Sequence, residues 1–351
     1  MKAILLAGGK GTRLRPLTIH TPKPIVPIFD RPFLHYQLDL LKQVPEIDEV
    51  ILSLNYQPRR IEEMFGDGSA AGLSLRYVVE PAPLGTAGAV RYAGESLHES
   101  IVVFNGDVLT AVDLRAVIAL HRERKAKATI VLTPVENPSA YGLVETDPDA
   151  NIRRFLEKPK PDEITCNTIN AGIYVLEPDT FERIPKDTPW SIERSFFPSL
   201  IERSEAFVAY VYRGYWIDIG TPEKYMQVHR DIMDGRFRTA PFDESASRAW
   251  VSPDARVEEG AVIEGPCFVD DGTVVKAGAR IGAYSVVSRN CYVEEHAVVE
   301  HAIVWANSRI SQEAIVRRAI VGRHCHIGRS ASVQDGAVLG DKSVITDYSR
   351  L

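Results

Sequence analysis

Glycines and cations near the start of the chain have the types and spacing that suit a polyphosphate. The apolar run from Ala3 to Ala7 predicts a buried strand, and residues 8–11 that follow it are Gly-Gly-Lys-Gly. Glycines at such a turn let backbone N–H groups approach an anion closely, because no Cβ stands in the way. Arg13, Arg15 and Lys23 follow and supply positive charge. The segment therefore predicts a phosphate-binding loop.

Two familiar glycine loops do not fit this segment. A Walker A loop would place a glycine at Ile4 and a serine or threonine at Gly11. A dinucleotide-binding loop would place its third glycine at Leu14. The loop is therefore of another kind, and its distinguishing mark is the Pro22-Lys23-Pro24 string downstream.

Two aspartates have the character of metal ligands. Asp107 follows the apolar run from Ile101 to Phe104, and Asp218 lies between Ile217 and Ile219. A buried carboxylate is costly without a cation or hydrogen-bond donors. Two carboxylates at one sheet edge would suit Mg²⁺, which takes oxygen ligands and keeps substrate phosphates in its shell.

Strand and helix patterns alternate through the first part of the chain. This alternation predicts an α/β domain with a mostly parallel, Rossmann-like sheet, in which ligands bind at the carboxyl ends of the strands. The predicted strands are 49–54, 75–79, 101–104 and 129–135, and the predicted helices are 33–44, 58–65, 86–97 and 114–124.

A six-residue repeat dominates the last hundred residues. Every sixth residue from Val251 to Val299 is Val or Ile, and a small residue such as Cys267 or Cys291 stands four places after each of the first eight. The register slips near Trp305, so we expect a distorted corner or contact surface in 300–318, and the repeat resumes at Val321. Such a period indicates a parallel β-helix and resembles the left-handed hexapeptide-repeat family, with about five coils. Cys267, Cys291 and Cys325 then act as small apolar residues inside the coil.

The stretch from Gly8 to Lys23 resembles the signature loop of the nucleoside-diphosphate-sugar pyrophosphorylases, or sugar nucleotidyltransferases. Further strings that match this family in order are Glu80–Gly88, Tyr141–Val144, Phe155–Pro159, Thr168–Tyr174 and Tyr215–Gly220. The resemblance implies transfer of a nucleotide from an NTP to a sugar 1-phosphate, with release of pyrophosphate and with Mg²⁺ as cofactor.

The resemblance also implies a role for individual residues. It implies that four residues are catalytic, namely Arg13, Lys23, Asp107 and Asp218. It also implies that the two aspartates bind the metal. The implied nucleotide-binding residues are Leu6, Ala7, Gly8, Gly9, Gly11, Thr12, Arg13, Lys23, Glu80, Gly85, Thr86 and Asp107. The implied sugar-phosphate-binding residues are Gly142, Glu157, Lys158, Asn170 and Gly172.

The motif combination, with its hexapeptide tail, looks most like the two-domain mannose-1-phosphate guanylyltransferases, which implies GTP and mannose 1-phosphate as substrates. Enzymes that join glucose 1-phosphate to dTTP, UTP or ATP share most of the strings and stay an alternative. Two further alternatives stay open. One is a catalytically silent sugar-nucleotide sensor subunit, and the other, for the β-helix with its four histidines, is an acyltransferase. An uninterrupted glycine loop favours activity, and the lack of a long inserted loop disfavours an acyl-CoA site.

Length and charge limit the remaining classes. The 351 residues allow two domains, here 1–240 for the nucleotidyltransferase and 249–351 for the β-helix, with a linker in about 236–250. A net charge of -6 argues against a nucleic-acid partner. No apolar stretch approaches a membrane span or a signal peptide, so we expect a cytoplasmic protein. The open ends of a β-helix favour a homo-oligomer.

Overall fold

The computed structural model describes residues 1–243 and 248–351, and these form two compact units. The first unit contains Met1–Lys10 and Leu34–Trp216, and the second contains Gly11–Phe33 and Ile217–Leu351. The segment Gly11–Phe33, here called the arm, therefore belongs to the same unit as the C-terminal part of the chain. Part of the predicted linker, 244–247, lies outside the described residues.

The elements of the first 243 residues are strands and helices in alternation. The strands are β1 Lys2–Leu6, β2 Pro27–Ile28, β3 Arg31–Pro32, β4 Glu49–Leu54, β5 Ser74–Val79, β6 Ile101–Asn105, β7 Val108–Thr110, β8 Ala128–Pro134, β9 Gly142–Thr146, β10 Ile152–Glu157, β11 Thr168–Leu176, β12 Phe207–Val211 and β13 Trp216–Asp218. The helices are α1 Phe33–Lys42, α2 Pro58–Phe65, α3 Gly85–Ala93, α4 Leu114–Glu123, α5 Phe197–Glu202 and α6 Pro222–Met233.

Nine strands of the described residues form the sheet of the first unit. Seven of them lie in the order β10-β9-β11-β6-β1-β4-β5, and β8 joins β11 to β12. The strands β5, β4, β1 and β6 are parallel, whereas β11 runs antiparallel to β6. The predicted α/β fold is confirmed. The sheet is mixed because β11 runs antiparallel to β6, β8 and β9, and because β9 and β10 form an antiparallel hairpin.

The inner parallel strands β1, β4 and β6 are largely apolar because helices cover both faces of such a sheet. Ile4, Val103 and Tyr174 are fully buried, and they belong to one core with Val90 of α3 and Phe197 of α5. Asp113 caps the start of helix α4, because its carboxylate accepts hydrogen bonds from the backbone N–H groups of Arg115 and Ala116 in the first turn. The core packs beneath the strands whose ends carry the candidate site.

The C-terminal strands stack into three parallel sheets, as the six-residue period predicts. They are β14 Ala249–Val251, β15 Arg256–Val257, β16 Val262–Ile263, β17 Cys267–Val269, β18 Val274–Val275, β19 Arg280–Ile281, β20 Ser285–Val287, β21 Tyr292–Val293, β22 Val298–Glu300, β23 Ile303–Val304, β24 Arg309–Ile310, β25 Ile315–Arg317, β26 Ile320–Val321, β27 His326–Ile327, β28 Ser332–Val333, β29 Val338–Leu339 and β30 Val344–Ile345. Every third strand pairs in parallel, which is the topology of a parallel β-helix. The handedness of the coil stays a prediction.

The slip in the repeat corresponds to two shortened coils rather than to a break. Val251 pairs with Val269, and Val269 with Val287, so these coils have 18 residues. Val287 then pairs with Val304, and Val304 with Val321, so each of these coils has 17. The missing residue falls at the corners near His301 and Arg318, and the strands on either side keep their pairing.

The arm packs on the β-helix within the second unit. Its hairpin of β2 and β3 presents the Phe29 ring, whose centroid lies 5.1 Å from that of Phe268 on the β-helix and 5.2 Å from that of Phe242. Phe242 lies in the predicted linker and is buried. In 1–243 and 248–351, no helix is long and apolar enough to cross a membrane.

The cysteines allow a test of this packing. Cys267, Cys291 and Cys325 are free thiols in the β-helix core, whereas Cys166 is partly exposed. Burial raises the pKa of Cys267 and of Cys291 to about 12 and raises that of Cys325 as well. With a pKa of about 12, roughly one thiol in ten thousand is a reactive thiolate at pH 8.

We therefore expect a disulfide reagent at pH 8 to modify one thiol quickly in the native protein and all four after denaturation. A Cys166→Ser variant should lose the fast phase. Fast modification of more than one thiol in the folded wild type would contradict the buried core.

Candidate functional site

Close backbone contacts bring two turns to one edge of the first unit's sheet. Strands β1 and β6 pair in parallel with Leu6 opposite Asn105, so Ala7–Gly9 and Gly106–Asp107 follow at the same edge. The Gly106 N–H donates to the Leu6 carbonyl at 3.0 Å, and a Cβ on Gly106 would lie only 2.5 Å from that oxygen. Only glycine fits there, so the turn that carries Asp107 stays against β1.

The residues after β1 differ in their surroundings. The Ala7 N–H donates to Ser53 O at 2.9 Å, which fixes the start of the loop. A Cβ on Gly8 would lie 3.2 Å from the Glu80 carboxylate, whereas one on Gly9 would meet no atom within 4 Å. Gly9 is exposed. The backbone at Gly9 is therefore open to a ligand.

Gln37 of helix α1 clamps the turn that carries Asp107. Its side-chain NH₂ donates to the carbonyls of Asn105 and Val108, both at 2.9 Å, and these two residues flank Gly106 and Asp107. Gln37 is 2% exposed, while Asp107 is partly exposed. Sequence reasoning missed Gln37, because a single glutamine on an amphipathic helix has no local signal that distinguishes it from a surface residue.

Glu80 and Thr86 hold the predicted nucleotide-binding segment Glu80–Gly88 together through their hydrogen bonds. The Glu80 carboxylate, 8% exposed, accepts from the Ser53 hydroxyl at 3.1 Å and from the Leu84 N–H at 3.0 Å. The Thr86 hydroxyl donates to Glu193 at 3.0 Å. A Cβ on Gly85, whose φ is +69°, would lie 2.7 Å from Trp190 O. These contacts hold the loop at the start of α3, and Gly85 itself is exposed.

The predicted sugar-phosphate residues meet on neighbouring strands. Gly142 of β9 pairs with Glu157 of β10, and the Lys158 N–H donates to Tyr141 O at 2.9 Å. Burial, and then the Glu193 carboxylate, raise the pKa of Glu157, while Lys158 opposes the shift. The Lys158 side chain is exposed beside this half-buried carboxyl group.

A bulge in β11 places Asn170 and Gly172. The pairing register of β11 with β8 shifts between Asn170 and Tyr174, and Gly172 has a φ of +76°. Asn170 accepts from the Gly172 N–H and donates to the Tyr174 hydroxyl, both at 2.8 Å. A Cβ on Gly172 would lie 2.8 Å from Asn105 Nδ2. The bulge thus joins the predicted sugar side to the strand that precedes Asp107.

The second unit holds the predicted cations in a compact loop of the arm. Gly11 has a φ of +59°, the Thr18 hydroxyl donates to its carbonyl at 2.7 Å, and a Cβ there would lie 3.4 Å from the Lys23 Cβ. A short 3₁₀ turn, Thr12–Leu14, follows and carries Arg13. Gly11, Arg13 and Lys23 therefore occupy one folded loop.

Asp218 lies beside two cations of the same unit. It is 8% exposed, and the Lys224 ammonium forms an ion pair with it. A Cβ on Gly220 would lie 2.8 Å from both Arg13 Nη2 and Asp218 Oδ2, so the guanidinium and the carboxylate flank that glycine. The burial cost of Asp218 is thus offset by cations, as the sequence predicts, and Lys224 is a partner that the motifs did not identify.

The oxygen atoms near Asp107 suit a hard cation such as Mg²⁺, which shares its coordination shell with substrate oxygens. The described residues contain no group of three or more His, Cys, Asp or Glu side chains able to bind a metal ion by themselves. Mg²⁺ is usually bound by one or two carboxylates together with phosphate oxygens and waters. At the Asp107 turn, the buried amide oxygens of Gln37 and Asn105 have no hydrogen-bond partner among the described residues. Oxygen donors are therefore available there.

Family models and relatives match the chain over most of its length. The model described as nucleotidyl transferase matches residues 2–235, and the one described as GMPPB C-terminal domain matches residues 263–351. The mannose-1-phosphate guanylyltransferase of Mycobacterium tuberculosis is 38% identical over 85% of this chain and 82% of that protein. A probable mannose-1-phosphate guanylyltransferase 1 of rice is 37% identical over 88% and 87%. A UTP–glucose-1-phosphate uridylyltransferase of Synechocystis is 32% identical over 88% and 84%.

Solved structures resemble about two thirds of the chain. HddC of Yersinia pseudotuberculosis, complexed with GMP-PN, is 29% identical with a TM-score of 0.56, over 66% of this chain and 99% of that one. A putative glucose-1-phosphate thymidylyltransferase of Bacillus anthracis is 25% identical with a TM-score of 0.60, over 65% and 94%. With the family model and the aligned relatives, these likenesses show that the chain belongs to the nucleotidyl transferase family.

Proposed function

We propose that this enzyme joins GTP to mannose 1-phosphate and releases GDP-mannose and pyrophosphate. The observation that carries the proposal is the alignment with mannose-1-phosphate guanylyltransferases along most of both chains, β-helix included. The GMP-PN complex of a structural neighbour supports a guanine nucleotide as ligand. The half-buried Glu157 and Asn170 supply carboxyl and amide groups that suit sugar hydroxyls.

The proposed step is a direct displacement. An oxygen of the sugar 1-phosphate attacks the α-phosphorus, a new P–O bond forms, and the bond from the α-phosphorus to the β-phosphate oxygen breaks. The electron pair leaves with pyrophosphate. Because no covalent enzyme intermediate is needed, the protein mainly positions groups and neutralises charge.

Each group of candidate residues has a place in this step. Arg13 and the amides of the glycine loop hold the β- and γ-phosphates, and Lys23 reaches the α-phosphate. Lys158 holds the sugar phosphate. Leu6, Ala7, Gly8, Gly9, Gly11, Thr12, Glu80, Gly85 and Thr86 shape the nucleotide side, and Gly142, Glu157, Asn170 and Gly172 shape the sugar side.

Asp107 and Asp218 would hold Mg²⁺ in this scheme. When bound, the ion neutralises part of the charge that develops around the transferred phosphate. Gln37 keeps the Asp107 turn in place, and Lys224 and Arg13 balance Asp218 until the substrate and its metal arrive.

Other features stay predictions that the family matches support only in outline. We assign the nucleotidyltransferase domain to residues 1–240 and the β-helix domain to 249–351, which is in line with family matches at 2–235 and 263–351. A homo-oligomer and a cytoplasmic location also stay predictions. So does the sensor alternative, which would bind sugar nucleotides without turnover.

A matrix of substrates tests the proposal. Pyrophosphate release is measured for GTP, ATP, UTP and dTTP, each with mannose 1-phosphate and with glucose 1-phosphate. We expect the highest kcat/KM for GTP with mannose 1-phosphate. The uridylyltransferase relative makes UTP with glucose 1-phosphate the second candidate, and a maximum there would replace our assignment. Binding without turnover in every combination would support the sensor.

Asp107→Asn should reduce kcat by about a hundredfold, because a neutral amide of the same size supplies no charge at the transferred phosphate. Steady-state kinetics at saturating Mg²⁺ measure the effect. Asp149→Asn, an exposed aspartate in the turn between β9 and β10, is the control and should behave as wild type. Near-normal turnover of Asp107→Asn would remove this residue from the site.

Gln37→Met should raise the Mg²⁺ concentration needed for half-maximal turnover by about tenfold. Methionine has a similar shape but donates no hydrogen bond, so the carbonyls of Asn105 and Val108 lose their clamp. Titration of turnover with Mg²⁺ measures the shift. Gln43→Met, an exposed glutamine just after α1, is the matched control. An unchanged Mg²⁺ requirement in folded Gln37→Met would show that the clamp is dispensable.

Arg13→Ala and Lys158→Ala should differ in their kinetics. Arg13 contacts the leaving pyrophosphate in our scheme, so its loss should lower kcat at least tenfold, since charge builds there as the bond breaks. Lys158→Ala should mainly raise the KM for the sugar phosphate and leave the KM for GTP within about twofold. The reverse pattern would mean that the nucleotide and sugar sides are exchanged.

A further inference from the structure

The arm that carries Arg13 and Lys23 is held by the coils of the β-helix. Arg323 donates to the Thr21 hydroxyl at 2.6 Å, two residues before Lys23. A Cβ on Gly340 would lie 3.1 Å from the Pro16 Cβ, three residues after Arg13. The β-helix therefore contacts the arm within a few residues of both cations.

A buried hydrogen-bonded link joins the β-helix to the second half of the arm. The Trp305 indole N–H donates to the Tyr225 hydroxyl at 2.9 Å, and that hydroxyl donates to the Pro27 carbonyl. Trp305 and Tyr225 are both fully buried. The Arg323 guanidinium lies 5.0 Å from the centre of the Trp305 ring. The contact of Arg323 with Thr21 and the link from Trp305 through Tyr225 therefore also stabilise each other.

The next turn of helix α6 makes a second link. Nδ1 of His229 lies 2.8 Å from Tyr225 O, and its Nε2 accepts from the Phe29 N–H at 3.2 Å. One imidazole nitrogen thus donates and the other accepts, as in neutral histidine. Burial lowers the pKa of His229 to about 4, which keeps the ring neutral at physiological pH. The link to the arm therefore keeps both hydrogen bonds at physiological pH.

These contacts bear directly on the phosphate-binding residues. Arg13 flanks Gly220 together with Asp218, and helix α6, which carries Tyr225 and His229, begins two residues after Gly220. Helix α6 thus connects Asp218, which lies opposite Arg13, with Tyr225 and His229, which contact the arm. A displacement of about 1 Å in such a group is enough to lose much of its effect on a transition state.

We propose that the β-helix is the scaffold of the phosphate-binding arm, and that Trp305 and Arg323 are positioning residues for nucleotidyl transfer. This inference rests on the proposed role of Arg13 and Lys23. It gives the β-helix a part in the reaction although it supplies no group that touches the substrates. A merely stabilising tail would instead lower the melting temperature and leave the kinetics of the folded enzyme unchanged.

Four variants of the full chain, one of them the rescue Arg323→Lys, test the proposal. Trp305→Phe keeps an aromatic ring but removes the indole N–H, and Arg323→Gln removes the guanidinium that holds Thr21. Arg309→Gln is the matched control: Arg309 also lies over an aromatic ring, that of Tyr292, and pairs with Glu294 on the β-helix. Circular dichroism and thermal melting establish that each variant is folded at the assay temperature.

We expect Trp305→Phe and Arg323→Gln to lower kcat/KM for GTP about tenfold, while the KM for the sugar phosphate changes less than about twofold. Arg323→Lys, which can still donate to Thr21, should recover most of the activity. Arg309→Gln should match wild type. Normal GTP kinetics in both folded variants, or equal losses in Arg309→Gln, would overturn the scaffold role. Should Trp305→Phe not fold, Arg323→Gln and its lysine rescue decide alone.

A double-mutant cycle separates this inference from the proposed function. In an Arg13→Ala background the loss caused by Trp305→Phe should shrink to about threefold or less, because the two residues act through one arm. A full tenfold loss there would mean that Trp305 acts by another route and would overturn the proposal. If Arg13→Ala alone is harmless, the proposed function has Arg13 wrong, and the scaffold role falls with it. If Arg13→Ala is impaired and Trp305→Phe is normal, only the scaffold role fails.

Discussion

Close approach of backbone segments is the constraint on which the first unit's site depends. Strands β1 and β6 are neighbours in the parallel part of the sheet, and Gly106 lies so near the Leu6 carbonyl that a side chain would collide with it. The glycine loop and the Asp107 turn consequently share an edge. Gln37 then fixes the same turn from the helix side through two carbonyls. Position here is set mainly by main-chain atoms, which few substitutions can move.

Electrostatic balance shapes the rest of the candidate site. Asp218 is buried beside Lys224 and Arg13, so its charge is compensated within the second unit. Glu157 has the opposite character: burial and the Glu193 carboxylate raise the pKa of its carboxyl group, while Lys158 opposes the shift.

The parts of the structure that depend on local pattern could be predicted from the sequence. Apolar runs predicted the parallel strands, and the six-residue period predicted the β-helix with Cys291 inside it, because both patterns follow directly from which face is buried. The role of Gln37 could not be predicted, since its partners are main-chain carbonyls without a side-chain signature. The 17-residue coils appeared only as a slip near Trp305, because a shortened corner and a broken repeat look alike in one sequence. The packing of the arm depends on pairs such as Phe29 and His229, 200 residues apart, which no local pattern indicates.

That separation along the chain has a consequence for how the protein is made. Arg323, the partner of Thr21 in the β-helix, leaves the ribosome 302 residues after it. Contacts of such high contact order form late, because the loop between them must close first. During synthesis the mixed sheet can fold while the arm still lacks its partners. The loop that carries Arg13 and Lys23 thus reaches its final packing only after the β-helix has been made, and a translation product interrupted before Arg323 cannot form this contact.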